Sequence, residues 1–274
     1  VFQVTYKAGG GPEFSTDGIT LGPDTDLTGF VELTALNANT TYDYEAKLNG
    51  SVVASASFST LPSEQSSTVS FAFGADIQHQ NKPYLAFDVL KARDPDFVIL
   101  GGDNMYADSG STVSDSKAGY EGRYRETWRD PKMRSALAQI PVFMIWDDHE
   151  ISNDWYPGLN SRYANGRAVF DEYQTPHNPP PRVDGELYFS FSVGPADFFV
   201  LDARSHRSAN NTQDGPTKSM LGETQKNELF DWLLESSAPF KFIVSSVPFN
   251  DWSTTADDSW NGSSNSYGAF FTER

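Results

Sequence analysis

The chain has 274 residues and no cysteine. Disulfide bonds, thiolate zinc sites and cysteine nucleophiles are therefore excluded, although the compartment is not fixed by that absence. Positive charge is scarce. Twenty Lys and Arg stand against 37 Asp and Glu, a formal net charge of −17. Nucleic-acid affinity depends on basic patches that neutralise phosphates, so no nucleic-acid-binding surface is expected. An acidic membrane surface is disfavoured for the same reason. No apolar run approaches the roughly 18 residues that a membrane-spanning helix needs, so no transmembrane segment is expected. The Gly-x-Ser-x-Gly elbow that would announce a Ser-His-Asp hydrolase is also missing.

What is present supports a folded chain. Hydrophobic residues make up 38% and aromatics 14%, enough for a packed core. The length favours one large or two ordinary domains. Strong acidity suits a protein that binds multivalent cations, or one kept soluble by its charge. The first residue is Val rather than Met, and glycosylation-type tripeptides begin at Asn39, Asn49, Asn210 and Asn261. Together they point to a removed leader and a secreted, periplasmic or cell-surface location.

Residues 1–61 read as all-β. Strands are expected over 1–6, 29–34, 42–48 and 52–58, with Asn49-Gly50 as a hairpin turn. The spacing of Leu36, Tyr42 and Tyr44 resembles the tyrosine corner of fibronectin-III-like sandwiches. Residues 62–68 are polar and read as a linker. From Val69 onward strands alternate with helices, which indicates an α/β domain over 69–274. Strands are expected at 69–73, 97–101, 142–146, 187–193, 197–202 and 240–245. Helices are expected near 82–93, 119–129, 131–139, 161–174 and 221–236, and a loop at 253–268.

Three of these apolar strands deliver carboxylates at their C-terminal ends: Asp76, Asp103, and the run Asp147-Asp148-His149-Glu150. Ligands in open α/β sheets sit at that edge. Two carboxylates about 4 Å apart repel by roughly 4 kcal/mol at an effective dielectric of about 20. Three converging carboxylates would hold protons unless a cation neutralised them. Oxygen donors suit hard metals, and a metal pair roughly 3.5–4 Å apart can clamp a phosphate and activate water.

The ordered set Asp76, Gly102-Asp103-Asn104 and Asp148-His149-Glu150 resembles the calcineurin-like metallophosphoesterases. The longer stretches Gly102–Asp108 and Trp146–Trp155, with Asp202-Ala-Arg204, Leu221–Gln225 and Ser245–Pro248, resemble more narrowly the PhoD-type alkaline phosphatases and phosphodiesterases. The resemblance implies a β-sandwich of fibronectin-III type followed by an α-β-β-α metallophosphoesterase core. It implies hydrolysis of phosphate mono- or diesters by in-line attack of a metal-bound hydroxide. The centre would be dinuclear or multinuclear, with Fe³⁺ and Ca²⁺ implied and Mn, Mg or Zn as other possibilities.

The resemblance also implies roles. Asp76, Asp103, Tyr106 and Asp148 would be metal ligands, Asp103 bridging two ions and Tyr106 binding as a phenolate. Asp148 would bind the second metal or the phosphate. His149 would protonate the leaving oxygen or stabilise its charge, with Asp154 or Glu150 orienting it. Asn153 and Arg204 are further candidates for site support or substrate contact; Arg204 also reads as half of a structural ion pair. Asp147 reads as loop or support, and Asp108 is open between loop structure and the site. Arg123 fits a solvated helix face, and His79, His177 and His206 read as surface residues.

Three departures modify these implications. Asp76 stands where the PhoD pattern usually has Cys, which weakens the Fe³⁺ assignment. Gln78 replaces a frequent His of the wider superfamily. The family's later Gly-Asp-x-His segment has no counterpart, so a core lacking its final strands, cut short at the C-terminus and with an incomplete second metal site, is expected. The alternative is an inactive phosphatase-like core that serves as an extracellular binding module.

Overall fold

The computed structural model describes residues 1–65, 67–109, 115–158, 161–250, 259–260 and 270–274. Most of the expected loop at 253–268, with the Asn261 tripeptide, lies outside them. Strands β1 (Phe2–Lys7), β2 (Phe14–Ser15), β3 (Thr41–Leu48) and β4 (Ser51–Ser59) form one antiparallel sheet in the order β2-β1-β3-β4. Asn49 and Gly50 both adopt positive φ, at 49° and 82°, the turn their pairing predicts. The Tyr42 hydroxyl accepts the Asn37 N–H at 2.9 Å.

The expected strand over 29–34 does not form. Its alternation is real, since Val31 and Leu33 are half-buried while Phe30 and Glu32 are exposed. Among the described residues its backbone nevertheless finds no ladder partner, and only Thr34 O is held, by the Tyr6 hydroxyl at 3.2 Å. Alternation reports burial on one side and does not guarantee pairing. Among the described residues the N-terminal unit is one four-stranded sheet, without the second sheet of a sandwich. Tyr44 ties it to the main body through Ala138 O at 3.0 Å. Arg125 and Tyr173 add ties to the Asp26 carboxylate. The segment after β4 is also fastened: Pro62 O accepts the Gly194 N–H at 3.0 Å.

The main body begins with β5 (Phe71–Gly74), α1 (Leu85–Arg93), β6 (Phe97–Gly101), α2 (Lys117–Trp128), α3 (Pro131–Leu137) and β7 (Val142–Ile145). The three strands form a parallel sheet in the order β5-β6-β7. Then follow α4 (Tyr163–Tyr173), β8 (Phe189–Val193), β9 (Ala196–Val200), α5 (Gly222–Glu235) and β10 (Phe240–Val244). Here β9 pairs antiparallel with β8 through Gly194-Pro195 and parallel with β10.

Strand periodicity explains how these parts stack. Phe97, Ile99 and Ile145 point inward and meet Phe189, Phe198, Val200 and Val244 of the other sheet. Val98, Leu100, Val142 and Met144 point the opposite way and pack under Phe87, Met133 and Ala136 of α1 and α3. Phe199 and Leu201 do the same against Leu229 and Trp232 of α5. The result is four layers, helices–sheet–sheet–helix. Because β5, β6 and β7 run parallel, all three release their following loops at one edge.

Candidate metal centre

At that edge the chain turns sharply. Asp76 and Asp103 sit at positive φ, 63° and 53°, and Gly102 at 111°. A Cβ on Gly102 would lie 2.7 Å from Asp147 Cβ and 3.1 Å from Ser246 Cβ, so only glycine lets the β6 loop approach both. The loops are joined by Asp76 N–H to Gly102 O at 3.3 Å and Ile77 N–H to Asp103 O at 2.7 Å.

The turn brings donor atoms of Asp103, Asp148 and His149 within 4.8 Å of one another, the one such group among the described residues. Asp103 and Asp148 are buried. Burial, then the charges of Glu150, Asp147 and Asp148, pushes the Asp103 carboxyl up to about 9. A carboxyl so crowded is stabilised as an anion only by added positive charge, so the donor set fits a hard cation. Asp76 is exposed and stands at the rim, where its Oδ1 accepts the Tyr106 hydroxyl at 2.8 Å. Burial, then the Asp103 charge, raises Tyr106 above its ordinary range. Without a cation Tyr106 therefore keeps its proton.

His149 is held on three sides. Its ring stacks on Tyr106 with centroids 4.2 Å apart. Its backbone N–H donates to Asp103 Oδ1 at 3.2 Å, and its Nδ1 meets Asp108 Oδ1 at 2.7 Å. Burial works against the charged ring, but Asp108 and then Asp148 and Asp103 outweigh it and raise His149 to about 9. Asp108 also accepts the Asn153 N–H. The carboxylate at the imidazole is thus Asp108, which the sequence left open. Glu150, offered for that place, is turned away into backbone amides. Asp154, the other candidate, donates its N–H to Asp148 Oδ2 and accepts from the Asn153 side chain.

Arg204 has no exposed surface and grips Asp147 with two bonds, Nε to Oδ1 at 2.6 Å and Nη2 to Oδ2 at 2.9 Å. Ser246 adds a third at 2.7 Å, so Asp147 clamps the ends of β7, β9 and β10 together. Burial raises the Asp147 carboxyl, but Arg204 outweighs it and holds it below its ordinary range. Arg204 Nη2 also lies 3.5 Å from Asp148 Oδ1. Arg204→Met would strand Asp147 in the interior, and a loss of about 3–5 kcal/mol in urea unfolding is expected.

Two surface assignments change. His79 is buried at 8% exposure and Arg123 at 7%, the latter bonding Glu126 and Ser109 O. His177 and His206 are exposed. Asn104 and Gln174, both fully buried, join the network behind the centre. Asn104 had a signal in its motif. Gln174, at the end of α4, had none.

The family model described as PhoD-like phosphatase matches residues 71–273. Alkaline phosphatase D of Bacillus subtilis (strain 168) is 26% identical over 279 aligned residues, which cover 85% of this chain and 48% of that protein. The chain thus spans about half the length of that curated relative. The solved structure of PhoD superposes with a TM-score of 0.79 at 21% identity, over 94% of this chain and 59% of the other. A purple acid phosphatase, PPD1 from yellow lupin (Lupinus luteus) seeds, gives 0.62 at 14% identity, over 92% and 47%.

Proposed function

Because the chain belongs to the PhoD-like phosphatase family, we propose that it hydrolyses phosphate mono- or diesters at the Asp103–Asp148–His149 centre with bound metal ions. The observation that carries this reading is the convergence of those three donors at the edge where β6 and β7 end. Asp76, Asp103, Tyr106 and Asp148 would hold the ions. When bound, a metal pair supplies positive charge to the phosphoryl oxygens and lowers the pKa of a water for in-line attack. Fe³⁺ and Ca²⁺ are the ions favoured by the family, with Mn, Mg and Zn as substitutes for hard oxygen sites.

The chain's own residues supply the rest. His149, whose charged form the Asp108 carboxylate favours, would carry the proton that the departing alkoxide needs. Its Nδ1 is engaged by Asp108, which leaves Nε2 as the nitrogen that passes the proton. Tyr106 packs on one face of the ring and limits its swing. Arg204 takes up the Asp147 charge with two bonds, and Asp148, which converges with Asp103 and His149, is the ligand of the adjacent pair. The reading of an inert core used as a binding module is not favoured, since Asp103, Asp148 and His149 converge as a group that could hold a cation. An exported location belongs to the same proposal.

The test is hydrolysis of p-nitrophenyl phosphate and of bis(p-nitrophenyl) phosphate. Turnover is expected to vanish on prolonged chelation and to return on adding metal. Activity that survives with no metal detected by elemental analysis would overturn the reading.

A further inference from the structure

Glu150 is fully buried, carries no role in the chemistry above, and lies between the two loops that bear Asp103 and Asp148. Its Oε2 accepts the N–H of Asp103 at 3.2 Å and of Asp147 at 3.0 Å, and its Oε1 accepts the N–H of Asn104 at 2.7 Å. One carboxylate thus binds backbone from the β6 loop and the β7 loop at once. Behind it, Gln174 donates to Oε1 at 3.4 Å and to the Tyr124 hydroxyl at 2.9 Å, while its own Oε1 accepts from Asn104 Nδ2 at 2.9 Å. Asn104 Nδ2 reaches on to Ile145 O at 2.9 Å.

We propose that Glu150 is a positioning residue, a staple that sets the separation of Asp103 and Asp148 and thereby the metal affinity of the centre. The proposal rests on the metal-centre reading above. Asp103 and Asp148 come from different strands, so no short stretch of chain fixes their spacing. Every group facing Glu150 in this network is an N–H donor. A carboxyl group, with two acceptor oxygens on one side chain, answers all of them. A glutamine has the same shape but brings an NH₂ that must face a donor. The bond from Ala107 N–H to His149 O at 2.9 Å keeps the loops in contact when Glu150 is changed, so Glu150→Gln is expected to fold with altered spacing. Outer partners that orient ligands typically govern metal affinity by about 10–100-fold.

The test is Mn²⁺ binding to the 274-residue chain by titration calorimetry, with amide hydrogen exchange at residues 103, 104 and 147. Glu150→Gln is expected to bind Mn²⁺ about 10–100-fold more weakly and to lose protection at those three amides. Met133→Ala, a cavity on the outer face of the same sheet, lowers stability far from the loops and is expected to bind Mn²⁺ as the wild type does. Binding by Glu150→Gln within twofold of wild type overturns the proposal, as does an equal loss in Met133→Ala. If the wild type itself takes up no Mn²⁺, the metal-centre reading fails and this one with it. Should Glu150→Gln not fold, Gln174→Met replaces it. It leaves the three backbone bonds and strips only their support, so a threefold or greater loss upholds the staple and no loss overturns it.

Discussion

Asp103→Asn is expected to abolish metal retention and to lower phosphate-ester turnover by about 1,000-fold or more, which corresponds to about 4 kcal/mol of transition-state stabilisation. The side chain keeps its shape and can still accept the His149 N–H through its oxygen, so the fold should tolerate it. What it loses is the charge at the point where the other donors converge. The same loss relieves repulsion in the metal-free protein. Asp103 is raised to about 9 in the fold, against an ordinary carboxyl near 4 in the unfolded chain. A raised folded value means that stability from this group is fully present at low pH and is lost as pH rises from about 4 towards 9. In chelator, the wild type is therefore expected to weaken over that window, and Asp103→Asn is expected to weaken less. Thermal melts at several pH values, with metal analysis and kinetics, check both parts. Wild-type turnover in the variant would remove Asp103 from the centre.

His149→Ala is expected to cost about 10²–10⁴-fold in kcat, the usual worth of a positioned general acid. The cost should depend on the leaving group. An alkyl phosphate needs a proton on its departing oxygen, whereas p-nitrophenolate leaves without one. The variant should therefore lose most on alkyl esters and least on p-nitrophenyl phosphate, while still retaining metal. A uniform loss across leaving groups, together with lost metal, would make His149 a ligand instead, a role its place beside Asp103 and Asp148 permits.

Much of the core was legible because its signals are local. Phe97–Gly101 is buried along its whole length, and such a run reads as a central strand without help from any other part of the chain. Asp130 and Pro131 mark the start of α3 in the way their chemistry dictates, the Asp130 carboxylate accepting the N–H of Lys132 and Met133. The segment over 29–34 failed for the opposite reason. A strand exists only if a neighbour pairs with it, and no residue within 29–34 reports whether one will.

The division of labour within the site follows the same line. The sequence by itself determined that three apolar strands end in carboxylates and that groups able to hold a cation gather at that edge, because period, run length and residue type are properties of short stretches. The resemblance implied separate tasks for the adjacent residues Asp147, Asp148, His149 and Glu150, but the partners that each meets were not in the sequence. Tertiary structure supplied those partners, giving three of the four a different one far away in the chain. Arg204 takes Asp147, the amides of Asp103 and Asn104 take Glu150, and Asp108 takes His149. A carboxylate's role is set by the charges and donors around it, and those arrive only when the chain has folded.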